Sequence, residues 1–126
     1  TGGYWDKEDD SPKVANQYFA KMKRMPTDVQ ASDYSATMTY LKAVAAVKST
    51  DADKVMEYLK KTPINDFYAK GGVIRPDGRM VHEMYLVQVK SLAESKKPWD
   101  YLNIVKKIPG DQVFTAKADS KCALWK

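Results

Sequence analysis

The sequence predicts an α/β fold, helices first and strands after. Three observations carry that reading. Apolar residues recur at helical spacing through about residue 62. Pro76-Asp77-Gly78 then sits between two runs of strand-favouring residues. A further alternating run follows from Trp99 to Ile108. The chain divides accordingly into a mainly helical region (1–70), a mainly β region (71–110) and a tail (111–126), all within a single segment.

The first helix is expected to start at Ser11-Pro12. A hydroxyl at the cap is followed by a proline where no amide bond is lost. Asp9 and Asp10 just ahead suit the positive end of the helix dipole. Val14, Tyr18, Met22 and Met25 form its stripe, Phe19 widens it, and Pro26 stops it. A second helix is expected from about Val29 to Lys48, with Tyr34, Met38, Leu41 and Val44 or Ala45 on one face. Ser49-Thr50-Asp51 breaks it and caps a third, Ala52 to Thr62, closed by Pro63.

Beyond Gly71-Gly72 the period changes. Proline presets the second turn position and glycine accepts a positive φ, so residues 73–89 read as a β-hairpin. Its second strand runs from Met80 toward Lys90. Tyr85, Val87 and Val89 alternate with Leu86 and Gln88. Residues 91–98 read as an exposed connection, and 99–108 as a further strand before the Pro109-Gly110 turn.

Composition narrows the classes. The 126 residues are 44% hydrophobic and 29% charged, the balance of one globular domain. No run reaches the roughly 18 apolar residues that suggest a membrane helix. Of 21 basic residues only Arg24, Arg75 and Arg79 are arginine, and the lysines are scattered, so the net charge of +5 reads as solvated helix faces. Nucleic-acid binders concentrate charge on one face and favour arginine for base contacts, which leaves such a module a weak alternative. Cys122, the single cysteine, has no partner within the chain.

Catalytic chemistry finds no support. His82-Glu83 lacks the second histidine of a zinc helix, since Leu86 stands at that position. On a strand, His82 and Glu83 would point to opposite faces, so the carboxylate could not orient the imidazole. No phosphate-binding glycine pattern occurs, and the Glu8-Asp9-Asp10 cluster lacks the spacing of a calcium loop. His82 is therefore read as a structural or surface side chain of the hairpin. No metal site or cofactor is expected.

Seven ordered phrases carry a resemblance that runs from end to end. They are "TGGYWD", a helix ending at "MP", "DVQASDYSATMTYLKAV", "DADKVMEYLKKTPINDFY", "IRPDGRMVHEMYLVQVK", "PWDYLNIVKKIPGDQVF" and "CALWK". In this order they resemble the C-terminal third of type I periplasmic substrate-binding proteins of ABC importers, in the branched-chain amino-acid-binding-like branch. The ending Cys122-Ala123-Leu124-Trp125-Lys126 departs at two positions from the usual Cys-Pro-Leu-Val-Lys.

The resemblance implies two α/β lobes joined by three crossings, with a small molecule held between them and delivered to permease subunits in the membrane. It implies a ligand such as an amino acid or an aromatic or other carboxylic acid, a periplasmic location, and no enzymatic step. A sensory ligand-binding domain of the same fold is the alternative. The chain in hand is then expected to be a fragment lacking most of the parallel sheet. The stripes of the first two helices would lie exposed at Tyr18, Met22, Met38, Leu41 and Val44, and self-association would cover them.

The resemblance also suggests ligand contacts. Tyr34 stands where the family's Tyr-x-Ala segments approach the cleft, and its phenol offers an apolar wall with one hydrogen bond; the alternative is the first core residue of the helical stripe. Tyr4 and Trp5 could line the cleft or pack at the hinge, with packing favoured. Asp33 could receive a polar group, although the dipole of the second helix also accounts for it. Cys122 could pair with a cysteine of a missing N-terminal segment or stand as a free thiol.

Overall fold

The computed structural model describes residues 1–7 and 10–125. The expectations resting on Glu8 and Asp9 lie outside the described residues. Three α-helices lead: α1 (Ser11–Met22), α2 (Asp28–Val47) and α3 (Ala52–Lys61). Five strands follow: β1 (Ile64–Asn65), β2 (Lys70–Ile74), β3 (Met80–Val81), β4 (Met84–Val89) and β5 (Leu102–Ile108). Three short 3-10 turns, at 110–112, 117–119 and 123–125, shape the tail, where regular signals are sparse in the sequence.

Helix ends follow local chemistry, with two shifts from expectation. Asp10, not Ser11, occupies the cap position of α1, and it makes no side-chain cap bond. Ser11 is already helical and donates its hydroxyl to the Phe67 carbonyl at 3.2 Å. That bond ties α1 to the loop before β2. At the other end α1 stops at Met22 rather than Met25. Lys23 turns left-handed (φ 58°) and its amide bonds back to Phe19. Proline disfavours helical geometry in the residue before it, so Met25 cannot extend the helix.

α2 begins at Asp28 through a capping box. The Thr27 hydroxyl accepts from the Gln30 amide at 3.4 Å, and the Gln30 side chain accepts from the Thr27 amide at 2.9 Å. Asp51 caps α3 by accepting from the Lys54 amide at 3.1 Å. α2 and α3 pack on each other, and their buried apolar side chains include Ala43 and Val55.

The hairpin forms only in its first half. Arg75 to Gly78 closes the turn with a Gly78 amide to Arg75 carbonyl bond of 2.9 Å, and Gly78 sits at φ +80°. β2 and β3 then pair antiparallel, Val73 with Val81 and Ile74 with Met80. The expected continuous strand breaks at His82-Glu83. Beyond the break β4 leaves this sheet and pairs antiparallel with β5, from Met84 opposite Ile108 to Val89 opposite Leu102, with one irregularity at Leu86/Val87. β1, too short to announce itself in the sequence, adds to the free edge of β2. The β5 strand starts at Leu102, because Trp99 adopts a left-handed conformation (φ 62°) that no extended strand includes.

The opening segment docks on β4. Thr1 and Tyr85 exchange both backbone bonds, Thr1 N to Tyr85 O at 3.0 Å and Tyr85 N to Thr1 O at 2.8 Å. That exchange is the signature of a hydrogen-bonded antiparallel pair.

The core is small. Among the described residues its buried apolar members are Ala15, Ala43, Val55, Ile64, Ala69 and Tyr85, and no large side chain is fully enclosed. Of the helical stripe expected to lie open, Met22 and Leu41 are about half exposed at 51% and 52%. Tyr18, Met38 and Val44 are partly covered. Tyr34 and Tyr40 of α2 are exposed as well.

Candidate functional site

A hollow of about 330 Å³ lies between α1, the first turns of α2, the opening segment and the loop at 67–68. Its aromatic wall comprises Tyr4, Trp5, Tyr18, Tyr34, Phe67 and Tyr68, with Gln17, Lys21 and Gln30 supplying polar groups. A concave, largely apolar surface with a few convergent polar atoms is the usual form of a small-molecule site.

Tyr34 projects from α2 with 54% of its surface exposed, and its ring meets Phe67 edge-on at 5.8 Å. Tyr34 is thus not covered as a core residue of the stripe would be, and it borders the hollow. Tyr4 and Trp5 also border the hollow, but their polar atoms are engaged elsewhere. The Tyr4 hydroxyl donates to the Trp99 carbonyl at 3.0 Å, and the Trp5 indole N–H donates to the same oxygen at 2.9 Å. The Tyr4 oxygen in turn accepts from the Tyr101 amide at 3.1 Å. Trp99 packs edge-on against Phe19 of α1 at 5.3 Å. The two rings therefore brace the opening segment against the 99–101 loop while presenting apolar surface to the hollow.

Asp33 stands apart. It is exposed on the second turn of α2 and does not border the hollow. The dipole argument belongs instead to Asp28, the acidic residue of the first turn. Asp28 is the group that the sequence reading missed. Its Oδ2 accepts from the Thr1 hydroxyl (2.7 Å) and the Gly2 amide (3.0 Å), and its Oδ1 accepts from the Tyr68 phenol (3.0 Å). Burial and the adjoining Asp28 carboxylate push the Tyr68 phenol well above its usual range, so it stays a hydrogen-bond donor. The signal was present in Thr27-x-x-Gln30, a capping box that moves the helix start onto Asp28.

His82 lies between strands, not on one. Its ring packs against Tyr68 at 5.2 Å and Phe114 at 5.6 Å. Its Nδ1 donates to the Glu83 carbonyl at 2.7 Å. It thus links the tail to the loop beneath the hollow. A second, more open hollow of about 610 Å³ borders His82, Arg79, Phe114 and Cys122 on the far side of Tyr68. Cys122 is a free thiol there, partly covered. No group of three metal-ligating side chains occurs among the described residues.

A family model described as periplasmic binding protein matches residues 1–97. The chain belongs to the periplasmic binding protein family. Two solved structures place this family member in its fold. A periplasmic binding protein from Burkholderia mallei is 58% identical over 99% of this chain and 33% of its own, with a TM-score of 0.95. A branched-chain amino acid ABC transporter periplasmic ligand-binding protein from Burkholderia xenovorans is 42% identical, over 100% of this chain and 34% of its own, also with a TM-score of 0.95. No curated protein shows significant sequence similarity to the chain. The chain spans about a third of the length of the solved structures it matches. Its helices and small sheets are thus a portion of a periplasmic-binding fold. A small core, with no enclosed large side chain among the described residues, is what such a portion should have.

Proposed function

We propose that the protein is the solute-binding component of an ABC importer, holding a small molecule between two lobes in the periplasm and delivering it to a membrane permease. The observation that carries this reading is the superposition of the whole chain on 34% of a branched-chain amino acid ABC transporter periplasmic ligand-binding protein, with a TM-score of 0.95. The hollow supports it, because its aromatic wall and amide groups suit a small organic solute. In this reading the solute is an amino acid or an aromatic or other carboxylic acid. Tyr34 forms an apolar wall with a free edge, and Tyr4 and Trp5 contribute ring surface while their polar atoms hold the 99–101 loop.

The test is calorimetric titration of the full-length protein with a panel of amino acids and aromatic carboxylic acids. Saturable binding of at least one of them is expected. Tyr34→Ala should weaken it about tenfold, the loss typical of one aromatic contact in a binding site. The reading is overturned if no member of the panel binds.

A further inference from the structure

The opening segment is held far more tightly than its length suggests. Gly2 and Gly3 pass so close to Tyr68 and His82 that a Cβ at Gly3 would lie 3.1 Å from Tyr68 Cε2, and one at Gly2 would lie 2.9 Å from His82 Cε1. The segment is buried at Gly2 and Gly3. Beside it, the Asp28 carboxylate collects three donors from two separate parts of the chain: Thr1, Gly2 and Tyr68. The opposite edge is bonded to β4 through the Thr1–Tyr85 pair. Hydrogen bonds to a carboxylate are stronger than neutral ones, and here they converge on one group fixed at a helix start.

We propose that Asp28, bonded at once to Thr1, Gly2 and Tyr68, is a latch that locks residues 1–3 to the body formed by α2 and β4, so that any bending between lobes occurs outside these residues. The inference rests on the two-lobed solute-binding reading, in which the resemblance sets the neighbouring Tyr4 and Trp5 at the hinge and so takes this segment as part of a crossing. A crossing that flexed at Gly2 or Gly3 would let the lobes move about a soft point. Clamped glycines instead pass the rotation to neighbouring residues. Glycine is needed here for close approach to the Tyr68 ring, and the latch removes the flexibility that glycine would otherwise bring. Asp28 is thus a positioning residue. Tyr68 completes it, its phenol on Asp28 and its ring close to the glycines.

Amide hydrogen exchange on the full-length, solute-free protein tests the latch directly. In Asp28→Ala the Gly2 and Tyr85 amides should exchange about tenfold faster, the effect of losing a hydrogen bond to a charged group. The Lys90 amide, which pairs with Tyr101 across the other edge of the sheet, should keep its rate. Tyr68→Phe keeps the ring and removes one donor, so it should give a smaller rise at Gly2 alone. It also serves if the alanine variant does not fold. Unchanged rates at Gly2 in the folded variants would overturn the latch, as would an equal rise at Lys90, which reports general loosening. These readouts need no ligand, so failure of the latch is distinguishable from failure of the solute-binding reading.

Discussion

Gly110 backs directly onto His82: a methyl group at Gly110 would lie 2.7 Å from the His82 carbonyl oxygen and 3.1 Å from its carbonyl carbon. The contact is backbone against Cβ, so no side-chain rotation relieves it. The tail therefore docks at the point where β3 ends and β4 begins. Gly110→Ala should lower stability by roughly 1–3 kcal/mol, the usual cost of overpacking. A thermal melt of the two proteins checks it, and an unchanged midpoint would contradict this close approach.

The capping box of α2 makes a separate prediction. Thr27→Ala removes the acceptor for the Gln30 amide and should cost about 1 kcal/mol. Thr27→Ser keeps the hydroxyl and should restore most of it. Chemical denaturation of the three proteins is the measurement, and equal loss in both variants would count against the cap.

Arg75 ties the tail to the hairpin turn. Its guanidinium makes two bonds to the Asp77 carboxylate at 3.1 and 2.6 Å, donates to the Thr115 carbonyl at 2.8 Å, and lies 3.9 Å from the Trp125 ring centre. Lysine has the charge without the planar fork, so it cannot serve all three partners. Arg75→Lys should expose residues 113–125 to limited proteolysis while leaving the helices protected. Cleavage sites mapped by mass spectrometry would show it.

Lys90 and Asp100 form a salt bridge of 2.5 Å, with Asp100 also accepting from the Lys96 amide at 2.9 Å. The Lys90 bond, then the Lys96 amide, hold the Asp100 carboxyl below its ordinary value of 3.8. A carboxyl whose folded pKa is depressed stabilises the fold at pH above its unfolded value. That stabilisation is lost as pH falls through the folded value. Stability should therefore drop below about pH 3.8 partly through this group. In Asp100→Asn that part of the acid slope should flatten, which acid titration followed by circular dichroism measures.

The hollow offers a prediction that separates binding from folding. Tyr34 is 54% exposed, and surface changes of that kind usually alter stability by less than about 0.5 kcal/mol. Tyr34→Ala should thus leave the melting midpoint almost unmoved while weakening solute affinity. Trp5→Ala should reduce both, because the indole holds the Trp99 carbonyl. If both variants behaved alike, the division between wall and brace would fail.

Much of this protein was legible in the chain itself. Pro26, the Ser49-Thr50-Asp51 run, Pro63 and Pro76-Asp77-Gly78 punctuate the backbone by local sterics and hydrogen bonding, so α2, α3 and the turn fall within a residue or two of expectation. The ordered phrases identified the family without any coordinates. What sequence periodicity could not supply was the break at His82-Glu83, because residues 80–89 alternate as one strand would. At the break the chain is approached closely by Gly110, some thirty residues further along. Nor could spacing reveal that Asp28 gathers Thr1, Gly2 and Tyr68, or that Trp99 turns left-handed to offer its carbonyl to Tyr4 and Trp5. Local propensity acts between neighbours in sequence, whereas these are close approaches between distant segments. Only the tertiary structure decides them.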